Sequence, residues 1–203
     1  MSETYHYAEI AVAPGAPLLF LFHGTGGNES NLLGLGQRLM PHAHIVAPRG
    51  DVSEGGALRF FKRTGEGVYD MADFERATTK MAAFIEAQID ASRPSTAIAL
   101  GYSNGANILA SLLFTRPELV DAAVLMHPLI PFAPEQQRGL ASKAILITAG
   151  RNDPICPPPL TERLSAYFSS QGAAIETSWH EGGHEIRPEE LTAIQTFVSK
   201  LTV

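Results

Sequence analysis

Five short, largely apolar runs punctuate the chain: Leu18-Leu19-Phe20-Leu21-Phe22, His44-Ile45-Val46-Ala47, Ala97-Ile98-Ala99-Leu100, Val124-Leu125-Met126 and Ala144-Ile145-Leu146-Ile147. None alternates apolar with polar, as a strand with one wet face would. Continuous apolar runs of this length fit strands covered on both faces, which is the habit of parallel sheets. Between the runs the period lengthens. Met71, Phe74, Thr78, Met81, Ile85 and Ile89 recur every three or four residues and predict a helix over Asp70–Ala91, because that spacing lays one stripe along a helical face. Further helices are predicted over Glu29–Leu39, Gly105–Thr115, Leu160–Ser170 and Pro188–Leu201. Strand and helix in alternation predict a doubly wound, mostly parallel α/β sheet with helices on both faces. The segment Tyr5–Val12, followed by Pro14-Gly15-Ala16-Pro17, reads as an edge strand turning back into the first central one. No repeat, low-complexity tract or linker interrupts the 203 residues, so a single domain over 1–203 is expected.

In such sheets ligands bind outside the carboxyl ends of the strands. The residues able to do chemistry are placed there. Gly101-Tyr102-Ser103-Asn104-Gly105 is a G-x-S-x-G between the run ending at Leu100 and an alanine-rich helix, the strand–turn–helix context of an exposed nucleophile. A serine hydroxyl is a weak nucleophile at neutral pH and needs an adjacent base. In this arrangement the acid and then the histidine follow the serine in chain order. Asp153 lies in Gly150-Arg151-Asn152-Asp153-Pro154, just past a predicted strand. Asp121 sits at the opening end of a strand and Glu162 within a helix, so Asp153 is preferred as the acid, although Asn-Asp-Pro also suits a plain turn. His184 follows Gly182-Gly183, a loop able to swing its ring over Ser103, whereas His180 falls at the end of the last strand. The two histidines have a spacing that would suit zinc on a helix, but the intervening glycines disfavour one.

His23-Gly24-Thr25-Gly26-Gly27 follows the first central strand and matches neither phosphate-binding glycine pattern. It is expected to supply one backbone N–H of an oxyanion hole, from Thr25, with the second from Asn104. Ser103, Asp153 and His184 together predict a serine-dependent hydrolase without cofactor or metal.

Charge and composition narrow the partners. Fifteen Lys and Arg against 21 Asp and Glu leave a formal charge of -6, which argues against nucleic acid. No apolar run approaches the length that spans a bilayer, and the first residues lack a secretory pattern, so a cytoplasmic protein without a membrane partner is expected. The lone Cys156 cannot form an internal disulfide and is read as a packed thiol near the site.

Leu-Phe-His-Gly-Thr-Gly-Gly at 21–27, Gly-Tyr-Ser-Asn-Gly-Ala-Asn at 101–107, Gly-Arg-Asn-Asp-Pro-Ile at 150–155 and Gly-Gly-His at 182–184 resemble the phospholipase/carboxylesterase branch of the α/β-hydrolases. The likeness runs near the acyl-protein thioesterases and dienelactone-hydrolase-like esterases. It implies hydrolysis of an ester or thioester of a small molecule through Ser103, Asp153 and His184, no cofactor, and in many relatives a homodimer. Thioesterase relatives have Gln where Asn104 stands and Leu where Thr25 stands, which weakens the thioesterase label; lysophospholipase or acyl-thioesterase activity is the alternative. Dienelactone hydrolases use a cysteine nucleophile, and here the nucleophile is Ser103. Leu58–Arg63 resembles a bacterial esterase subgroup and places Phe60 or Phe61 as a candidate pocket wall, although an ordinary loop pinned by its aromatics with solvated charges fits equally well. The alternative of another class is a hydrolase-fold protein that binds a ligand without turnover; an intact triad argues against it.

No cap domain fits between the predicted strands ending near His127 and resuming near Ala144, since Pro128–Lys143 carries three prolines and is short. An open, shallow cleft is therefore expected. Such a cleft would favour short acyl groups, roughly C2 to C6, because each buried methylene contributes only about 0.8 kcal/mol.

Overall fold

The structure, a computed structural model, describes residues 4–201. Its centre is a seven-stranded sheet built from β1 (Tyr7–Ile10), β2 (Leu18–Phe22), β3 (His44–Pro48), β8 (Ala97–Tyr102), β9 (Ala122–Met126), β10 (Ala144–Gly150) and β11 (Ala174–His180). The order across the sheet is β1-β3-β2-β8-β9-β10-β11. β1 runs antiparallel to β3 at the edge, and every other pairing is parallel.

The uninterrupted apolar runs are explained by two cores. Leu18, Phe20 and Phe22 of β2 point to one face, where they join α2 (Met71–Ser92), α3 (Asn104–Thr115) and α4 (Pro158–Ser170). Leu19 and Leu21 point to the other, where they meet α1 (Leu33–Leu39) and α5 (Pro188–Leu201). With both faces buried, period-two alternation gives way to unbroken hydrophobicity. Of the stripe predicted on α2, Phe74, Thr78, Met81 and Ile85 lie inside and Ile89 is partly buried, whereas Met71, at the helix start, is exposed. Asp70 caps this helix by accepting from the Asp73 amide at 3.1 Å.

One expectation is corrected here, and one feature was not anticipated. The first helix covers Leu33–Leu39 and not Glu29–Leu39. Asn28 explains the shortening: its side chain accepts from the Ser30 amide at 2.9 Å, and its own amide donates to Asn31 Oδ1 at 2.6 Å. Such local side-chain bonds offer the backbone an alternative to helix. Residues 52–69, for which no element was predicted, form two small hairpins: β4 (Val52–Glu54) with β5 (Ala57–Arg59), and β6 (Arg63–Gly65) with β7 (Val68–Tyr69). Between β9 and β10 there is only loop and one short 3-10 turn at Arg138–Leu140, so the expected absence of a cap at this point is what the chain shows.

Candidate active site

β8 delivers Tyr102 to the rim of the sheet, and the chain turns into α3 through Ser103, whose φ of 53° and ψ of −114° lie where non-glycine residues are strained. The turn closes because two glycines let backbones meet. A Cβ on Gly105 would stand 2.1 Å from the Phe22 carbonyl oxygen, and one on Gly101 would stand 2.4 Å from that of Gly105. Neither neighbour is a side chain that could swing away. Gly105→Ala is thus expected to destabilise the protein by more than about 4 kcal/mol and lower Tm by roughly 10 °C. A thermal melt checks this.

The three residues singled out from sequence meet at one point. His184 Nε2 is 2.8 Å from Ser103 Oγ, and His184 Nδ1 is 2.7 Å from Asp153 Oδ2. Asp153 is 3% exposed and its second oxygen, Oδ1, accepts the amides of Ile155 at 2.8 Å and Cys156 at 2.9 Å. Burial opposes ionisation of this carboxyl. The Cys156 amide, His184, His127 and the Ile155 amide together outweigh that penalty and hold its pKa below the ordinary value. Tyr102 donates its hydroxyl to the His184 carbonyl at 2.7 Å and so steadies the loop that carries the ring.

The glycine-rich loop after β2 is also fixed in place. The Gly26 amide donates to Leu58 O at 2.9 Å and the Gly27 amide to Gly24 O at 3.0 Å. The Thr25 amide makes no such backbone bond, and the Asn104 amide is at the first position of α3, where a helix has no internal acceptor for it. Arg59 Nη1 donates to Thr25 Oγ1 at 3.0 Å, tying this loop to β5. His23 takes no part in the triad. Its ring is buried, accepting the Gly50 amide on Nε2 at 2.9 Å.

A cavity of about 550 Å³ opens over Ser103 and His184. Leu129, Pro131, Pro154, Ile155 and Leu160 contribute apolar lining, and Arg59, Arg63, Glu66 and Tyr69 bring the hairpins to the cavity. The cleft thus has a wall that the expectation of a shallow site lacked. The aromatic wall assigned to Phe60 or Phe61 is corrected: both rings are fully buried. Phe60 packs on His23 and Phe61 between Tyr69 and Phe74, and it is the flanking arginines that reach the cavity. Cys156 is buried with its thiol donating to the His127 carbonyl at 3.2 Å. Burial, then the Asp153 charge, pushes this thiol far above its ordinary pKa, as expected of a packed cysteine.

Sequence reasoning missed a group behind the triad. His127, the residue after β9, points its Nδ1 at the same Asp153 Oδ2 at 2.9 Å and its Nε2 at Glu190 Oε2 at 3.3 Å. His180 is buried at the end of β11, its Nε2 3.5 Å from that of His127. The signal for His127 was present: it stands at the carboxyl end of a strand, the rule that selected Ser103. His127, His180 and Glu190 bring potential metal-ligating atoms within 4.8 Å of one another, as do His127, Asp153 and His184. In the first group the Gly182 amide donates to His180 Nδ1 at 3.0 Å, so the neutral ring holds its proton on Nε2 and offers a donor there, not a lone pair. The second group is already engaged in the hydrogen bonds to Asp153 and Ser103.

A parallel sheet wrapped by helices on both faces, with serine, acid and histidine in that chain order at its carboxyl edge, defines an α/β-hydrolase. Residues 8–202 match the Phospholipase/Carboxylesterase family. MhqD of Bacillus subtilis (strain 168), named as a hydrolase, is 41% identical over 175 residues, which are 85% of this chain and 88% of MhqD. Among solved structures, a Bacillus cereus carboxylesterase superposes with a TM-score of 0.86 at 34% identity, over 95% of this chain and 93% of its own. Protein Atu2452 of Agrobacterium tumefaciens str. C58, of unknown function, reaches 0.91 at 53% identity, over 97% and 96%. The chain belongs to the phospholipase/carboxylesterase family, a family of ester-hydrolysing enzymes. No helix among the described residues is long and apolar enough to cross a membrane.

Proposed function

We propose that this enzyme hydrolyses small carboxylic esters by acyl transfer to Ser103. The observation that carries the reading is the continuous chain of contacts from Ser103 Oγ through His184 to Asp153. His184 takes the serine proton as the hydroxyl attacks the ester carbonyl, and Asp153 holds the ring with Nδ1 protonated and stabilises the imidazolium that forms. The carbonyl oxygen becomes an oxyanion, for which the amides of Thr25 and Asn104 are the donors. A preorganised donor of this kind contributes about 3–4 kcal/mol. His184 then returns the proton to the departing alcohol. Water, deprotonated by the same ring, attacks the acyl-enzyme and frees the acid and Ser103.

Short acyl groups are the proposed substrates. Charged Arg59, Arg63 and Glu66 share the cavity lining with its apolar residues, and a long hydrocarbon chain would lie against them. A two-armed experiment tests the proposal. A fluorophosphonate should label the protein on Ser103, as located by mass spectrometry, and His184→Ala should abolish labelling. Across 4-nitrophenyl esters, kcat/KM should peak at short chains and fall toward palmitoyl. An unlabelled Ser103 would favour a ligand-binding protein without turnover, and a steady rise to palmitoyl would favour the lysophospholipase or acyl-thioesterase alternative.

A further inference from the structure

Behind Asp153 lies a buried set of groups that the proposed reaction does not use. Asp153 Oδ2 faces two imidazole Nδ1 atoms, that of His184 at 2.7 Å and that of His127 at 2.9 Å. His127 is fully buried and held at a φ of 51°, the αL region that a residue other than glycine enters only where surrounding contacts require it. Those contacts are its own amide on Thr148 O, at 2.8 Å, and its carbonyl under the Cys156 thiol. Beyond His127 stands Glu190, also buried, in the first turn of α5.

Counting protons fixes the charge. Two backbone amides donate to Asp153 Oδ1 and favour its ionised form, and a carboxylate only accepts, so each ring nitrogen bonded to Oδ2 must be a donor. His127 Nδ1 therefore carries a hydrogen. On the far side, Glu190 Oε1 accepts from the Thr148 hydroxyl and Oε2 from the Arg187 amide at 3.3 Å. Two donors and a helix N-terminus favour its ionised form. His180 adds no acceptor, because its Nδ1 is occupied by the Gly182 amide and its Nε2 holds the proton; that N–H, 3.5 Å from His127 Nε2 and 3.8 Å from Glu190 Oε2, is too long to replace the closer Glu190 contact. Were His127 Nε2 bare, its lone pair would face a carboxylate oxygen at 3.3 Å in a dry interior. One proton must lie between them.

We propose that His127 stands as an imidazolium between Asp153 and Glu190 and, acting through Asp153, is a positioning residue that sets the pH range in which His184 works as a base. The inference rests on the triad reading given above. A second ring on Oδ2 keeps that oxygen from turning away from His184, whether or not substrate is present. Its charge has a further effect. The His127 and His184 rings are 5.1 Å apart between centroids, and a cation there opposes a second positive charge on His184.

The other charged or titratable groups around these rings act differently. Tyr102 lies edge-on to His127, and its hydroxyl is committed to the His184 carbonyl. Cys156 is a thiol kept neutral by burial. Glu185 is paired with Arg187 on the loop itself. Arg59, Arg63 and Glu66 line the cavity and make no hydrogen bond or ion pair with these rings among the described residues. His180 touches His127 and Glu190 from behind. Only His127 shares a carboxylate oxygen with His184. The direction of its own titration agrees: burial opposes charge on the ring, but Glu190 and then Asp153 outweigh it and raise the pKa above the usual imidazole value.

Two measurements on the full chain test the proposal. In wild-type protein labelled with ¹⁵N-histidine, both ring nitrogens of His127 should be protonated at pH 7. One unprotonated ring nitrogen at that pH would overturn the proposal, whatever the kinetics. In Glu190→Gln, an amide N–H can serve a neutral His127, so the cation should disappear. The acid limb of kcat/KM should then move up by about one pH unit, while kcat on the plateau stays near wild type. A merely structural role predicts a lower Tm with an unmoved limb, and that result would also overturn the proposal. If Glu190→Gln does not fold, the wild-type spectrum decides alone. Failure of the triad reading itself would be seen separately, as an unlabelled Ser103.

Discussion

Ser103→Ala is expected to lower kcat for a 4-nitrophenyl ester by about 10⁵- to 10⁶-fold while leaving Tm almost unchanged. The two halves of this expectation have separate grounds. Activity falls because the hydroxyl is the group that would bond to the acyl carbon, and among the described residues no other hydroxyl or thiol is hydrogen-bonded to the His184 ring. Cys156, the one thiol on the cavity wall, is buried and kept protonated, so it does not substitute as nucleophile. Stability survives because Ser103, although it precedes the first turn of α3, makes no side-chain cap. Its strained backbone is held by the glycines on either side and by its amide on Met126 O at 2.8 Å, and alanine keeps both. Adding His184→Ala should reduce kcat little further, since members of a triad act as a unit and the oxyanion donors supply what remains. Retention of kcat within tenfold of wild type would remove Ser103 from the mechanism.

The sequence was most informative where one physical requirement acted alone. Burial on two faces writes itself as an unbroken apolar run, so β2, β8, β9 and β10 could be located without any contact being known. The strained turn at Ser103 leaves a local imprint because only glycine fits at 101 and 105. Asp153 and His184 followed from chain order and from the carboxyl-edge rule. The hairpins at 52–69 left no such trace, since strands of two or three residues are too short to display a period. Phe60 and Phe61 read equally well as pocket wall or core; their neighbours His23, Tyr69 and Phe74 come from three separate segments and could not be paired in advance. The network of His127, His180 and Glu190 was illegible for a related reason. Its members lie up to 63 residues apart and are joined only when α5 packs under β10. Glu190 in isolation is an unremarkable acidic residue in a helix's first turn.

Asp153→Asn separates geometry from charge at the same site. The side chain keeps its shape but offers one oxygen and one NH₂ where the structure has four donors waiting. If the amide oxygen stays with the Ile155 and Cys156 amides, the NH₂ points at the Nδ1 atoms of both His184 and His127. Each ring must then present a lone pair there. For His184 this moves the proton to Nε2, facing Ser103, and the ring can no longer accept the serine proton. The same change at the acid of serine proteases costs about 10⁴ in kcat, and a loss of that order is expected here. If the amide flips instead, its NH₂ opposes two buried backbone N–H groups, at a cost of about 1–3 kcal/mol for each group left without an acceptor. Both orientations also leave the buried His127–Glu190 pair without its second carboxylate. Asp153→Asn should therefore lose several degrees of Tm in addition to activity, unlike Ser103→Ala. Comparing kcat and thermal melts of the two variants distinguishes a residue that reacts from one that orients. An Asp153→Asn enzyme with near-normal kcat would transfer the orienting role to another carboxylate. Among the described residues the only other buried one near these rings is Glu190, which contacts His127 and His180 but has no hydrogen bond to His184.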